Sequence, residues 1–336
     1  MTALAGEGVP LGSGVAVAGG VDRDVAGYGV TLRATVWSGA PVAEGAGDAG
    51  EGGPARPTVV LLHGLASQRR FWNLVAPGVV AAGFRVVALD QRGHGDSARP
   101  DGPYDVATCA ADVLAVLTDL GVTAQTGAVV VGHSWGAAVA LAVAATEADR
   151  VRAVVAIDGG ITSPAGLGDR ADVRRRLEPP RLAVRPEEFA AMVARGPLAG
   201  GWTDAHAEAV LPAFAVDPDG LARARLRFDL HMAVLDGLLD FDVEAVLAGV
   251  TCPAWVVVCE PTPTRADGSG GATDAAYHDD AWARARAEGL ERAGRLLAQP
   301  RLLRWAGAVH DVPLQWPPLV TGLVLAAADD RSGGTA

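Results

Sequence analysis

Four short runs of apolar, largely β-branched residues constrain this chain more than anything else in it: TVVLL at 58–62, FRVVALD at 84–90, AVVV at 128–131 and VRAVVAID at 151–158. A strand with one face in water alternates apolar and polar residues, whereas these are apolar on both faces and read as strands buried on both sides. Such strands belong to parallel sheets, whose crossover connections cover the two faces with helices. Between the second and third runs, Ala110, Val113, Leu114, Leu117 and Leu120 fall at helical spacing. The pattern predicts β-α-β units and therefore an α/β fold built on a mostly parallel sheet.

The flanks read differently. GVAVAGG at 14–20 and VTLRATVWSG at 30–39 alternate like antiparallel edge strands, and APVAEGAGDAGEGGPARP at 40–57 is a Gly/Pro/acid-rich loop. From 161 to 249 strand patterns vanish and apolar markers recur at helical spacing, among them Phe189, Met192, Val193, Trp202, Leu226, Met232, Leu235 and Leu238. This segment is expected to be an inserted helical lid. The sheet resumes at CPAWVVVC, 252–259, breaks for the polar PTPTRADGSGGATDAAYHDD and ends with RLLRWAG at 301–307, followed by a last helix near 313–328. The resulting division is core 1–160, lid 161–249 and core 250–336. A chain of 336 residues, half of them hydrophobic, has ample apolar surface for one such core.

Charge and cysteine content narrow the function classes. A net charge of -11 with scattered arginines disfavours a nucleic-acid partner; the run Arg174–Arg176 reads as a solvated helix face. No apolar run approaches the roughly 18 residues of a membrane span, and the first residues lack the basic and apolar regions of a signal peptide, so a cytoplasmic location and no membrane partner are expected. Cys109, Cys252 and Cys259 follow no metal-ligand spacing, and their odd number argues against a disulfide framework. No phosphate-cradling loop or clustered ligand set is evident, so neither metal nor organic cofactor is expected. The expected partner is a small-molecule substrate; the oligomeric state is left open.

The stretch VVVGHSWGAAVA at 129–140 sets Ser134 between Gly132 and Gly136, just after a buried strand and just before an alanine-rich helix. That context suits the G-x-S-x-G nucleophile elbow, where a serine stands on a strained strand-to-helix turn and small neighbours let strand and helix approach. The free N–H groups at the start of the helix favour negative charge beside the serine.

With LLHGL at 61–65, DQRGHGDS at 90–97, GHSWG at 132–136 and HDVPLQWP at 310–317 in order, the chain resembles an α/β-hydrolase-fold protein with a helical lid over roughly residues 25–330. The resemblance implies Ser134 as nucleophile and His310 as its base. It implies an oxyanion hole from the Leu65 and Trp135 N–H groups, each such donor worth ~3 kcal/mol of transition-state stabilisation. His63 is read as a brace of the loop after the first buried strand. Asp90, Arg92, Gly93 and Gly95 are read as a tight hydrogen-bonded turn, and His94 as a turn or pocket-wall residue.

The acid departs from the family's common pattern. Most members carry an aspartate a few residues beyond the strand that is AWVVVC here, yet this chain continues Glu260-Pro261-Thr262-Pro263-Thr264 with no aspartate before Asp267. A minority carries the acid at the end of the strand after the nucleophile helix, where Asp158 lies. Asp158, Glu260 and Asp267 or another loop carboxylate all stay open.

What the resemblance implies is acyl transfer: hydrolysis of an ester, lactone, thioester or amide through an acyl-enzyme, with Trp135, Phe71 and Trp72 suggesting a partly apolar substrate. A serine at the elbow argues against epoxide-opening and halide-displacing relatives, which use an aspartate. Two alternatives remain: a carbon–carbon bond hydrolase or lyase, favoured by cationic groups near Ser134 such as Arg69 or Arg70, and a non-hydrolytic binding protein.

Overall fold

The apolar runs become neighbouring strands of an eight-stranded sheet in the computed structural model, which describes residues 9–11, 19–39, 56–162, 167–196, 198–261 and 280–330. Among these residues the strands are β1 Val9–Pro10, β2 Gly20–Ala26, β3 Thr31–Trp37, β4 Thr58–Leu62, β5 Val86–Asp90, β6 Ala128–His133, β7 Val151–Ile157, β8 Phe214–Val216, β9 Ala222–Ala224, β10 Pro253–Glu260 and β11 Gln299–Ala306. The helices are α1 Ala76–Ala81, α2 Val106–Asp119, α3 Trp135–Thr146, α4 Arg170–Arg176, α5 Pro186–Ala194, α6 Asp204–Val210, α7 Phe228–Leu239, α8 Val243–Gly249, α9 Asp280–Leu296, α10 Val312–Gln315 and α11 Pro317–Asp329.

The sheet order is β11-β10-β7-β6-β4-β5-β3-β2. Neighbours from β11 to β5 are parallel, and β3 and β2 add an antiparallel edge. Every residue of β4 and β5 is buried, as continuous apolar runs require. Alternate residues feed two cores: Val60, Leu62, Val130 and Val154 pack toward α2 and α3, while Val59, Leu61, Val131 and Val155 pack toward α1 and α11. Helix α3 is buried from Trp135 to Ala144. Its alanines let it lie close over the sheet, under α2 and α8.

Register fixes where the candidate residues gather. Leu62 pairs with Gly132, His133 with Ile157, Ile157 with Val257 and Glu260 with Ala306, so β4, β6, β7, β10 and β11 end along one rim. The segments that follow them, carrying residues 63–65, 134, 158 and 310, leave from that rim, the carboxyl edge where parallel α/β sheets bind ligands.

Several expectations change. The segment 161–249 is not purely helical: β8 and β9 form an antiparallel hairpin, and β1 pairs with β8. Three-residue strands are too short to show alternation, although Asp217-Pro218-Asp219-Gly220 is a turn signal that closes the hairpin, with Gly220 N–H donating to Asp217 O (2.8 Å). The last helix is two helices, because Pro317 starts α11 afresh after Trp316. Helix α9 fills a stretch for which no element was expected. Met192 is exposed on α5, while Phe189 of that helix is buried against Phe214. Helix α8, at the end of the 161–249 segment, packs on α3. The loop 40–55, most of GVAVAGG, and Asp267 lie outside the described residues. Among the described residues no helix is long and apolar enough to cross a membrane.

Candidate active site

Ser134 is the hinge on which the chain turns from β6 into α3, and its backbone is strained, with φ 54° and ψ -121°. Surrounding bonds hold it there: its N–H donates to Ile157 O (2.9 Å), and Ala137 N–H donates to its carbonyl (3.0 Å). The two glycines are required by close approach. A Cβ on Gly132 would run into the Gly136 carbonyl, and one on Gly136 would stand 2.5 Å from His63 O and 2.6 Å from Leu62 O. Because α3 begins at Trp135, the Trp135 N–H belongs to the first turn, whose donors have no acceptor within the helix.

The loop after β4 lies over this elbow. Gly64 sits so close that a Cβ there would be 3.1 Å from Ser134 Cβ, which brings Leu65, the next residue, to the same place. Two buried histidines brace the loop. His63 Nδ1–H donates to Gly64 O (2.8 Å) and His63 Nε2 accepts from Gln91 N–H (3.1 Å), while Gln91 Nε2 donates to His63 O (2.7 Å). His94 Nδ1–H donates to Arg92 O (2.9 Å) and its Nε2 accepts from Ala66 N–H (3.3 Å). Burial pushes His63 down to about 4, and burial with the neighbouring His63 pushes His94 down to about 3, so both are neutral braces at neutral pH.

Asp158 is the first residue after β7 and lies in the left-handed region, φ 48°, which aspartate tolerates better than most residues. Its Oδ2 accepts from His310 Nδ1 (2.6 Å) and its Oδ1 from Cys259 N–H (3.0 Å), so the carboxylate sits against the end of β10 although it follows β7. Burial pushes its carboxyl up, but the hydrogen bond and charge of His310, with the Cys259 N–H, outweigh burial and hold it below the usual carboxylate range. With Nδ1 donating to that carboxylate, the neutral His310 ring presents Nε2 as its basic nitrogen.

His310 stands between β11 and α10, with its side chain one-fifth exposed. Its main-chain carbonyl accepts from His133 Nε2–H (2.8 Å), and the two rings lie 4.7 Å apart, so the residue preceding Ser134 pins the His310 loop to the elbow. Burial, with the nearby His310, pushes His133 down to about 3.

The other sequence candidates go elsewhere. Glu260 pairs with Arg304 (2.8 Å), both side chains well exposed. Arg69 is buried among Asp22, Asp90 and Asp96, its backbone N–H also donating to Asp90 (2.6 Å). Arg92 is clamped on Asp112 at 2.6 and 2.8 Å. Phe71 stacks on His133 and Trp72 is wholly buried, so both are core.

Beside Ser134 opens a cleft lined by Trp135, Asp158, Ile161, Thr162, Leu238 and Val258 and by two residues absent from the expectations, Trp282 and Arg286 of α9. Their four-residue spacing was the available signal; without a helix assigned there it carried no meaning.

A family model described as alpha/beta hydrolase fold matches residues 57–185. Epoxide hydrolase A of Mycobacterium tuberculosis is 41% identical over 112 residues, 33% of this chain and 33% of that protein. The chain thus matches about a third of that relative's length. RutD of Variovorax paradoxus, whose name assigns it carbamate hydrolysis only provisionally, is 33% identical over 213 residues, 61% of this chain and 74% of that protein. Among solved structures, an E-2-(acetamidomethylene)succinate hydrolase superposes with a TM-score of 0.68 at 22% identity, covering 92% of this chain and 99% of that one. The elbow, the sheet order and these matches agree: this chain belongs to the α/β hydrolase fold family.

Proposed function

We propose that the chain is a serine hydrolase that cleaves an ester, lactone or related acyl bond of a small, partly apolar molecule through an acyl-enzyme. The observation that carries this reading is the 2.6 Å Asp158–His310 hydrogen bond at the rim that also holds the strained Ser134. In the mechanism, His310 Nε2 takes the Ser134 proton as the hydroxyl attacks the carbonyl carbon. The oxyanion settles on the Leu65 and Trp135 N–H groups, each worth ~3 kcal/mol in the transition state. His310 then returns the proton to the leaving group, and a water activated the same way releases the acid. Asp158 keeps the ring in the required tautomer and stabilises its charged form without taking the proton.

A serine also disfavours the epoxide opening for which some relatives are named. Attack by a hydroxyl would leave an ether, which offers the second water no carbonyl. The cation in the cleft favours one further reading, a carbon–carbon bond hydrolase working on ketonic acids with the same three residues.

The test is labelling by a fluorophosphonate probe together with a panel of activated esters of graded length. The parent chain should label and turn over, and Ser134→Ala should do neither. Equal ester cleavage by both proteins would defeat the assignment, and a parent that binds esters without labelling would be a non-hydrolytic member of the family.

A further inference from the structure

Helix α9 brings to the cleft two side chains that the chemistry above leaves unused. Trp282 and Arg286 are one helical turn apart and project from the same face. Both line the cleft with Ser134 and Asp158. The helix is fixed on the segment that follows Asp158: Thr162 Oγ1 donates to Ala285 O (3.2 Å), Arg292 Nη1 donates to Ile161 O (3.3 Å), and a Cβ on Gly289 would stand 2.8 Å from that same carbonyl. Arg286 therefore holds a set position relative to the reacting residues, and its charge is felt at Asp158 and Cys259.

Among the described lining residues Arg286 is the only cation and Asp158 the only acid. Of the other walls, Ile161, Leu238 and Val258 are apolar and Thr162 is polar, its hydroxyl turned to the Ala285 carbonyl; the apolar share weakens the screening of a charge there. A guanidinium matches a carboxylate with two parallel N–H donors. On a chain of net charge -11, a cation at this place works against the overall field and attracts one kind of group.

We propose that Arg286 is a specificity-determining residue that holds a carboxylate of the substrate, so the preferred substrates are acyl compounds with a free carboxylate several bonds from the scissile carbonyl. Trp282 covers the apolar spacer between the two. The proposal rests on Ser134 as the reacting centre.

The experiment compares mono-4-nitrophenyl adipate with 4-nitrophenyl hexanoate, equal in chain length and differing in the carboxylate. The parent should favour the charged ester in kcat/KM, and added salt should shrink the preference. In Arg286→Ala the charged-to-neutral ratio should fall about 10–100-fold, mainly through KM, and Arg286→Lys should restore part of it. An unchanged ratio in Arg286→Ala, or a parent that favours the hexanoate, overturns the proposal. Calorimetric titration of adipate itself into Ser134→Ala and into Ser134→Ala/Arg286→Ala separates this from the hydrolase reading. Binding that weakens at least about tenfold in the double variant supports the anion site even if no ester is turned over. Absence of adipate binding to Ser134→Ala overturns it.

Discussion

Asp158 works across a strand boundary: it directly follows β7, yet its carboxylate is bonded to an N–H of β10 and to His310. In the proposed mechanism Asp158→Asn therefore breaks the tautomer control of His310 and lowers kcat by roughly three to four orders of magnitude. Glu260→Gln, which disturbs only an exposed pair with Arg304, leaves kcat within about twofold. Steady-state kinetics on one activated ester checks both, and the reverse ranking would move the role to Glu260. Which carboxylate meets His310 was not legible in the sequence, because chain order does not reveal that β7 and β10 are neighbours in register; only the sheet does. Ser134 and His310 were legible as candidates: two glycines punctuate the first, and the family resemblance marks the second, with Pro313 and Pro317 after it turning the chain into a helix. Arg69 shows the opposite case, a cation that sequence placed near the chemistry and the fold uses as a strut. Arg69→Ala leaves the buried Asp90 without its counter-charge and should cost about 3–5 kcal/mol in denaturant unfolding. A loss under 1 kcal/mol would show that the Asp22 and Asp96 network is not structural.

The strand-to-helix elbow concentrates the most demanding geometry of the fold in a few residues. Gly136→Ala inserts a methyl 2.5 Å from the His63 carbonyl, so either α3 or the loop carrying Leu65 must shift. The expected cost is about 1–3 kcal/mol of stability, together with a fall in kcat larger than the stability loss explains, since the two oxyanion donors move apart. Thermal melting and turnover of the same preparation measure both, and wild-type values for either would contradict the account. Elements with long apolar runs, β4 to β7 and β10, were readable because burial on two faces writes itself into consecutive residues. The β8–β9 hairpin and α9 were not: the first has too few residues for a period, and the second mixes alanine, arginine and glutamate so that its cleft-facing pair, Trp282 and Arg286, stands out only once the helix is known.

Across the whole molecule, one sheet rim collects the ends of several strands, and neutral imidazoles are built into its support. His63, His94 and His133 are held at about 4, 3 and 3 by burial, against 6.5 when unfolded. Above pH 6.5 they are neutral in both states. As pH falls below that value the unfolded chain takes up protons that the folded one refuses, so stability should decline from about pH 6.5 down to about 4, by up to 1.4 kcal/mol per pH unit for each imidazole. Urea midpoints measured from pH 7 to 4 test this, and a flat profile would mean these rings accept protons in place. The measurement that bears most directly on the central claim is acid-quench trapping of the enzyme during turnover of 4-nitrophenyl acetate, followed by peptide mass spectrometry. An acetyl group on the peptide containing Ser134, formed by the parent and strongly slowed in His310→Ala, is the predicted result. Steady turnover with Ser134 never acylated would contradict the account.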